Sequence, residues 1–539
     1  MANSDGGSVA DAVARFIKAR GPQRVFGLSG GHIQPLWDGL LRFGVRIVDV
    51  RHEGAAVHMA TAHALLTREV GVATVTAGPG VTNSVTAISN AYVERAPILV
   101  VGGCPPTPQD TADALQGLPN LELMRPVTRM ARTLREPAQV LRELESALTI
   151  ATGLAGPPGP VYIEIPPDVL RRPLPTTASL PEFLETRVPP IVYPDPESID
   201  RAAQFVTAAR RPIVISGRGA AGSADALRAL LDVSSALYLD TRESRGVIAQ
   251  DPPTAVAAVR SLALREADLI LTVGCRLDSV IGAAGTDAKL VRIARHGEEL
   301  RDSRRGDVEI LADPQVALEA LVATLRGRRA SLDKAWVQAM CRSHRERVAK
   351  HLDDLEAAPP GADGFMHPNR IFAALRRVLG PRAICVAEGA DIVSLAQLGL
   401  PTCTYLDAGA SGCFGVAVPY AIAGALAFPE CNVVAISDDA AFRRHMIEID
   451  TAARHACPIV VVVANTGRSQ LGVGEYLNFG DRPSRAEDQR SDFAAVAQAF
   501  GLYGERVVDP HDVTAALERG LARAPALVDV CVTQDEVTA

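Results

Sequence analysis

The sequence predicts an α/β protein of three doubly wound parallel-sheet domains, and three observations lead there. Short apolar β-branched runs alternate with longer Ala/Leu-rich stretches from end to end, two Pro-rich segments divide the chain, and its first and last thirds read as distant copies. The runs include Val72-Ala73-Thr74-Val75, Ile98-Leu99-Val100-Val101, Ile213-Val214-Ile215 and Val460-Val461-Val462-Val463. Continuous apolar runs of this kind are strands covered on both faces, as a parallel sheet requires. Their alternation with helical stretches implies doubly wound sheets.

A chain of 539 residues exceeds what one core supports. The segments Pro173–Pro196 and Glu356–Pro368 read as linkers, which sets domains at 1–175, 195–350 and 365–539. Four pairs of segments recur in the same order in the first and third domains. GVATVTAGPGVTN (71–83) parallels CNVVAISDDAAF (431–442), and PILVVGG (97–103) parallels PIVVVVA (458–464). REPAQVLRELESAL (135–148) parallels VDPHDVTAALERGL (508–521), and PGPVYIEIP (158–166) parallels APALVDVCV (524–532). Shared order across four pairs indicates duplication.

Composition excludes several function classes. Hydrophobic residues at 47% and charged residues at 22% are ordinary for a soluble globular protein. No apolar window reaches the roughly 18 residues of a spanning helix, and the first residues, MANSDGGSVADAVARF, lack the pattern of a secretory signal. Nine scattered cysteines without CxxC spacing read as reduced thiols in a cytoplasmic protein. Lys+Arg 55 against Asp+Glu 62 gives a net charge of −7 with no basic block, which argues against nucleic acid or an anionic membrane as partner. Aromatics at 4% argue against base-stacking platforms.

Such folds place ligands at strand-to-helix turns on the C-terminal edge of the sheet. The first domain offers GLSGGHI (27–33), the segment at Arg51-His52-Glu53-Gly54, and TAGPGVTN, which runs from Thr76 to Asn83. Glu53 lies between an apolar strand and a helix; alone, an acid there is a favourable dipole contact. The 76–83 turn suits an anion or a heterocycle through its exposed N–H groups. In the third domain the strand VVAI runs into Ser437-Asp438-Asp439-Ala440-Ala441-Phe442, and Thr466 follows the next strand. Oxygen ligands at adjacent strand ends suit a hard cation such as Mg²⁺; two solvent-facing turn residues are the plainer reading.

Taken together these segments resemble the thiamine-diphosphate (ThDP) family that contains acetolactate synthase, pyruvate oxidase, benzaldehyde lyase, oxalyl-CoA decarboxylase and 2-hydroxyacyl-CoA lyase. The resemblance covers nearly the whole chain. VFGLSGGHIQPLWDGL, VDVRHEGAAVHMA, TAGPGVTNSVTAISNAY and ALQGLPNLELMRPVTR fit its pyrimidine-binding domain. LDAGASGCFGVAVPYAIAGALAFPECNVVAISDDAAF and EIDTAARHACPIVVVVANTG fit its diphosphate-binding domain. The resemblance makes Glu53 the glutamate that hydrogen-bonds the cofactor's pyrimidine and helps the thiazolium carbon lose its proton. It places Thr76 and Asn83 in the pyrimidine-side turn, Gly412 at the carbonyl that receives the 4′-amino group, and Phe414 at the wedge that bends the cofactor. Asp439 becomes the metal-binding aspartate, with Thr466 and the Arg468 carbonyl as further Mg²⁺ ligands. Asp438, Ala440 and Ala441 flank the diphosphate.

Two departures stand out. Asp438 replaces a glycine and sets a second carboxylate beside the phosphates, where like charges oppose binding. Thr466 replaces an asparagine, and neighbouring Asn465 is the substitute ligand. On the substrate side, Gly30-Gly31-His32-Ile33 and Leu115-Gln116-Gly117 match benzaldehyde lyase segments that supply a histidine and a glutamine. An imidazole there shuttles a hydroxyl proton and an amide holds a carbonyl oxygen; a locally hydrogen-bonded helix-start residue is the plainer reading of His32. Glu388-Gly389-Ala390-Asp391 resembles the acyl-CoA branch, where Ala390 and Asp391 would approach the cofactor, but VTQDEVTA offers no basic cluster for coenzyme A. Gly217-Arg218-Gly219-Ala220-Ala221-Gly222, with Asp240 beyond it, has the form of a dinucleotide fingerprint. Some relatives bind FAD or ADP in that central domain; others keep the shape without a nucleotide.

The expectation is therefore a ThDP- and Mg²⁺-dependent lyase or carboligase acting on 2-oxo acids or acyloins. An acyl-CoA lyase or decarboxylase stands second, and a non-catalytic homologue with a degenerate cofactor site, or an enzyme for an unusual substrate, stands beside them. The resemblance implies a homodimer or homotetramer with active sites between subunits.

Overall fold

The computed structural model describes residues 7–109, 113–175, 190–248, 252–276, 287–300, 304–400, 403–467 and 490–533. The first sheet contains β1 (Arg24–Leu28), β2 (Arg46–Asp49), β3 (Gly71–Val75), β4 (Ile98–Gly102), β5 (Met130–Thr133) and β6 (Val161–Glu164), in the order β2-β1-β3-β4-β6-β5. The central sheet contains β7 (Pro212–Ser216), β8 (Leu237–Asp240), β9 (Leu269–Val273), β10 (Lys289–Ala294) and β11 (Val308–Leu311), in the order β11-β10-β9-β7-β8. The third contains β12 (Ile384–Glu388), β13 (Thr404–Leu406), β14 (Val433–Asp438), β15 (Ile459–Asn465), β16 (Tyr503–Val507) and β17 (Ala526–Cys531), in the order β13-β12-β14-β15-β17-β16. The strand pairings in these sheets are parallel.

The predicted α/β class with three parallel-sheet domains is thus the observed one. The first and third sheets have the same strand order, and three of the paired sequence segments fall on equivalent strands: β3 with β14, β4 with β15, β6 with β17. The strands seen as apolar runs, β3, β4, β7 and β15, are buried throughout. The nine cysteines are free thiols. Among the described residues no helix is long and apolar enough to cross a membrane.

Helix Glu53–Thr67 of the first domain packs on helix Ala417–Ala427 of the third. Residues 53 to 64 of one and 417 to 425 of the other are all buried. A helix apolar around its whole circumference has no face for water and must be enclosed; alanine and glycine let these two approach closely. They share one core with Phe26, Met59, Phe442 and Val463, and Asn90 donates to the Tyr420 hydroxyl across it at 2.7 Å. Gly71 makes a second close approach possible, since a Cβ there would lie 2.0 Å from the Ala60 carbonyl oxygen.

Glu94 joins all three domains. It is fully buried; Arg218 of the central domain donates to its carboxylate and, at 2.5 Å, to its carbonyl oxygen. Ala410 N–H of the third domain donates to the carboxylate at 3.2 Å, and Arg276 lies 3.7 Å away. Removing one partner of a buried pair leaves an uncompensated charge, at a cost of about 3–5 kcal/mol. Arg218→Ala is therefore expected to lower the melting temperature by several degrees, and Arg218→Met combined with Glu94→Gln by clearly less. Differential scanning calorimetry of the two variants checks this, and equal losses would refute it.

Candidate active site

The first half of the site lies at the C-terminal edge of the first sheet. Past β2 the chain enters helix Glu53–Thr67 with His52 as its N-cap, His52 Nδ1 accepting from Gly54 N–H at 3.1 Å. This places Glu53 at the buried end of the helix, 7% exposed, where Asn83 Nδ2 donates to Oε2 at 3.0 Å. The Thr76–Asn83 turn following β3 wraps this carboxylate. Gly78 has φ +61°, and a Cβ on it would lie 2.7 Å from the Gln116 Cβ, so only glycine lets the 114–117 loop close here. Gln116 itself is held at φ +60°, a left-handed conformation that costs energy in a non-glycine residue and clusters at functional sites. Burial holds the His32 imidazole below its ordinary range, against the raising effect of the Gln116 side chain near it. Thr76 is buried with its hydroxyl unpartnered. The structure therefore brings Glu53, Thr76, Asn83, His32 and Gln116 to one edge.

The second half lies at the corresponding edge of the third sheet. Asp438 caps helix Asp439–His445, its Oδ1 accepting from Ala441 N–H at 2.7 Å. Its Oδ2 is buried without a partner. Burial, then the nearby charges of Asp439 and Asp391, push Asp438 up to about 6 against the Ala441 hydrogen bond. Ala390 and Asp391 open the helix that follows β12, and Ala440 sits in the first turn of helix 439–445. Gly412 adopts φ +59°, and Phe414 is 39% exposed. The segment carrying both is fastened by Glu388, which accepts from the N–H groups of Gly415, Val416 (3.1 Å) and Ala417 (3.0 Å). Burial pushes Glu388 up to about 7 despite these donors.

Asp439 is 1% exposed and both of its oxygens are engaged. Oδ1 accepts from the Thr466 hydroxyl at 2.9 Å and its N–H at 3.3 Å, and Oδ2 accepts from Arg443 Nη1 at 3.0 Å. Asn465 is buried at the strand end: its Nδ2 donates to the Ser491 carbonyl and to Asp529, both at 2.8 Å, and its Oδ1 accepts from Gly467. Arg468 lies outside the described residues.

Sequence reasoning missed the clamp that joins the two halves. Glu448 of the third domain, fully buried, accepts from the N–H groups of Arg51 (3.1 Å) and His52 (2.9 Å) and from the Thr451 hydroxyl (2.6 Å). The His52 and His445 rings lie 5.2 Å apart, and His445 Nδ1 contacts the Gly415 carbonyl at 2.7 Å. An acid inside EIDTAARH, otherwise a solvent-facing helix start, was the available signal. The Gly217–Gly222 turn, by contrast, uses its glycines internally: a Cβ on Gly217 or Gly219 would lie 2.4 or 2.7 Å from Gly274. A cavity of about 680 Å³ opens nearby, lined by residues including Tyr238, Asp240, Arg245, Arg260, His344 and Arg376.

Comparison with known proteins decides the family. Family models for the N-terminal TPP binding domain, the central domain and the C-terminal TPP binding domain of thiamine pyrophosphate enzymes match residues 7–123, 199–321 and 393–530. The acetolactate synthase large subunit of Mycobacterium tuberculosis is 31% identical over 96% of this chain and 94% of its own. The chain belongs to the thiamine pyrophosphate enzyme family. Human 2-hydroxyacyl-CoA lyase 2 is also similar, 31% identical over 87% of this chain and 80% of its own, as is a rice 2-hydroxyacyl-CoA lyase at 28% over 98% and 95%.

The two edges just described fall largely within the stretches matched by the N-terminal and C-terminal TPP binding domains, which bind thiamine diphosphate (ThDP). The first-domain residues fit its pyrimidine: a buried carboxylate with one oxygen held by Asn83, and a buried, unpartnered Thr76 hydroxyl at the start of the adjoining turn. The metal ligands expected for Mg²⁺ do not fit as they stand, because Arg443 occupies the second oxygen of Asp439.

Burial pushes Glu448 up to about 7 from an ordinary 4.5, against its three donors and Arg454. A carboxyl that holds its proton more tightly when folded loses stability as pH rises from its unfolded value to its folded one. The stability of wild type relative to Glu448→Gln is thus expected to fall between about pH 4.5 and 7 and to level off above. Melting curves of both proteins across that range test it; parallel pH profiles would refute it.

Proposed function

We propose that this protein is a ThDP-dependent carbon–carbon lyase or carboligase that acts beside the carbonyl of a 2-oxo acid or acyloin. The observation that carries this reading is Glu53 at a buried helix start, its carboxylate held by Asn83, with Gln116 closing against Gly78 of the same turn. ThDP, when bound, supplies a carbon nucleophile and an electron sink. Glu53 holds a proton at the pyrimidine nitrogen, as a buried carboxylate at that position is suited to do. His32, kept neutral by burial, takes or returns the proton of a substrate hydroxyl, and the Gln116 amide orients the carbonyl oxygen. The flanking Leu115 and Leu118 are 79% and 46% exposed, and Phe414 and Ile447 on the third domain 39% and 41%. Apolar side chains left open at both edges support a homodimer or homotetramer in which one subunit's first domain faces another's third, closing the site to water.

The acyl-CoA reading stands second, favoured by Glu388-Gly389-Ala390-Asp391 and by the relatives named 2-hydroxyacyl-CoA lyase. Panels of 2-oxo acids, acyloins and 2-hydroxyacyl-CoA thioesters separate the two by which releases CO₂ or an aldehyde. Glu53→Gln is expected to cut turnover of the accepted substrate by about 10²-fold or more, while the melting temperature stays near wild type. Full turnover in Glu53→Gln would sink the mechanism.

A further inference from the structure

We propose that the Arg443 guanidinium, in place of a divalent cation, binds the diphosphate end of the cofactor in this chain, an inference that rests on the ThDP reading above. In the structure Arg443 is pinned from three sides. Its Nη1 donates to Asp439 Oδ2 at 3.0 Å and to the Asp439 carbonyl at 3.3 Å, and its Nη2 donates to the Ser491 hydroxyl at 3.2 Å. The guanidinium carbon lies 5.1 Å from the centre of the Phe493 ring, over its face. The spacing between Asp439 and Arg443 is one helical turn, so helix 439–445 itself carries the positive charge back to the strand end.

Both Asp439 oxygens already accept hydrogen bonds, Oδ1 from Thr466 and Oδ2 from Arg443. Mg²⁺ requires near-octahedral oxygen ligands and gives up water reluctantly. Here Asp439 is filled by Thr466 and Arg443, Thr466 is neutral, and Asn465 faces Asp529 and Ser491. Arg443 is suited to the replacement role. Guanidinium carries five donors in a planar fork that matches phosphate geometry, and it is always charged. Its side chain is 31% exposed, and only three acceptors among the described residues engage it. Asp438 and Asp439 put two carboxylates at this turn, so a diphosphate settles here only against a fixed positive charge.

The test is calorimetric titration of the purified full chain with ThDP, once in Mg²⁺ and once in EDTA, on wild type, Arg443→Gln and Arg443→Lys. Wild type is expected to bind in EDTA with an affinity within about twofold of that in Mg²⁺. Arg443→Gln should bind about tenfold or more weakly in EDTA, the loss of a charge-assisted hydrogen bond. Because it frees Asp439, it should then recover affinity when Mg²⁺ is added. Arg443→Lys, which keeps the charge and loses the fork, should fall between the two, which a merely unfolded variant would not do. Wild-type binding that needs Mg²⁺, or Arg443→Gln binding as tightly as wild type in EDTA, overturns the inference and leaves the ThDP reading standing. Absence of wild-type binding under both conditions overturns both.

Discussion

The contact between helices 53–67 and 417–427 is the constraint on which the rest depends. Each is rich in alanine and buried over most of its length, so neither is stable unless the other covers it. Their ends are where chemistry is placed: Glu53 begins the first, and the segment with Gly412 and Phe414 leads into the second. A shift of one helix against the other would move both groups at once. The placement of both groups within one chain therefore rests on close small-residue packing between these two helices.

Buried acids then fix the backbone locally. Glu448 holds the N–H groups of Arg51 and His52, and Glu388 those of Gly415 to Ala417. Both are buried and pushed up to about 7, so each donor matters in keeping the carboxyl in place. Glu53 belongs to a different class: Asn83 donates to one oxygen, and no other donor among the described residues reaches the carboxylate. Satisfied acids clamp the chain, whereas one with capacity in hand is available to a ligand.

Much of this was legible in the residues. Strands buried on both faces announce themselves as unbroken apolar runs, and the duplication of four segments foretold two sheets with one strand order. His32 and Gln116 were picked out separately by motif, and the structure brings them near each other at one edge. What was not legible depends on long-range placement. Glu448 reads as an ordinary helix-start acid until the first domain is docked, and the donation of Asn465 Nδ2 to Asp529 appears only once strands 459–465 and 526–531 are paired. Arg443 is one turn from Asp439, a spacing visible in the sequence, but which way the guanidinium folds is decided by Phe493 and Ser491 about 50 residues on. The GxGxxG form misleads because backbone crowding against Gly274 demands the same small residues as a phosphate does.

Glu94 has a consequence for how this architecture can change. Its carboxylate sits fully buried in the first domain, and the groups that neutralise and ligate it come from the central domain through Arg218 and from the third through Ala410. A gene rearrangement that dropped or exchanged the central domain would strand that charge in a dry interior. The three domains therefore form one unit of inheritance: a viable recombinant has to carry Glu94 and Arg218 together, or lose both.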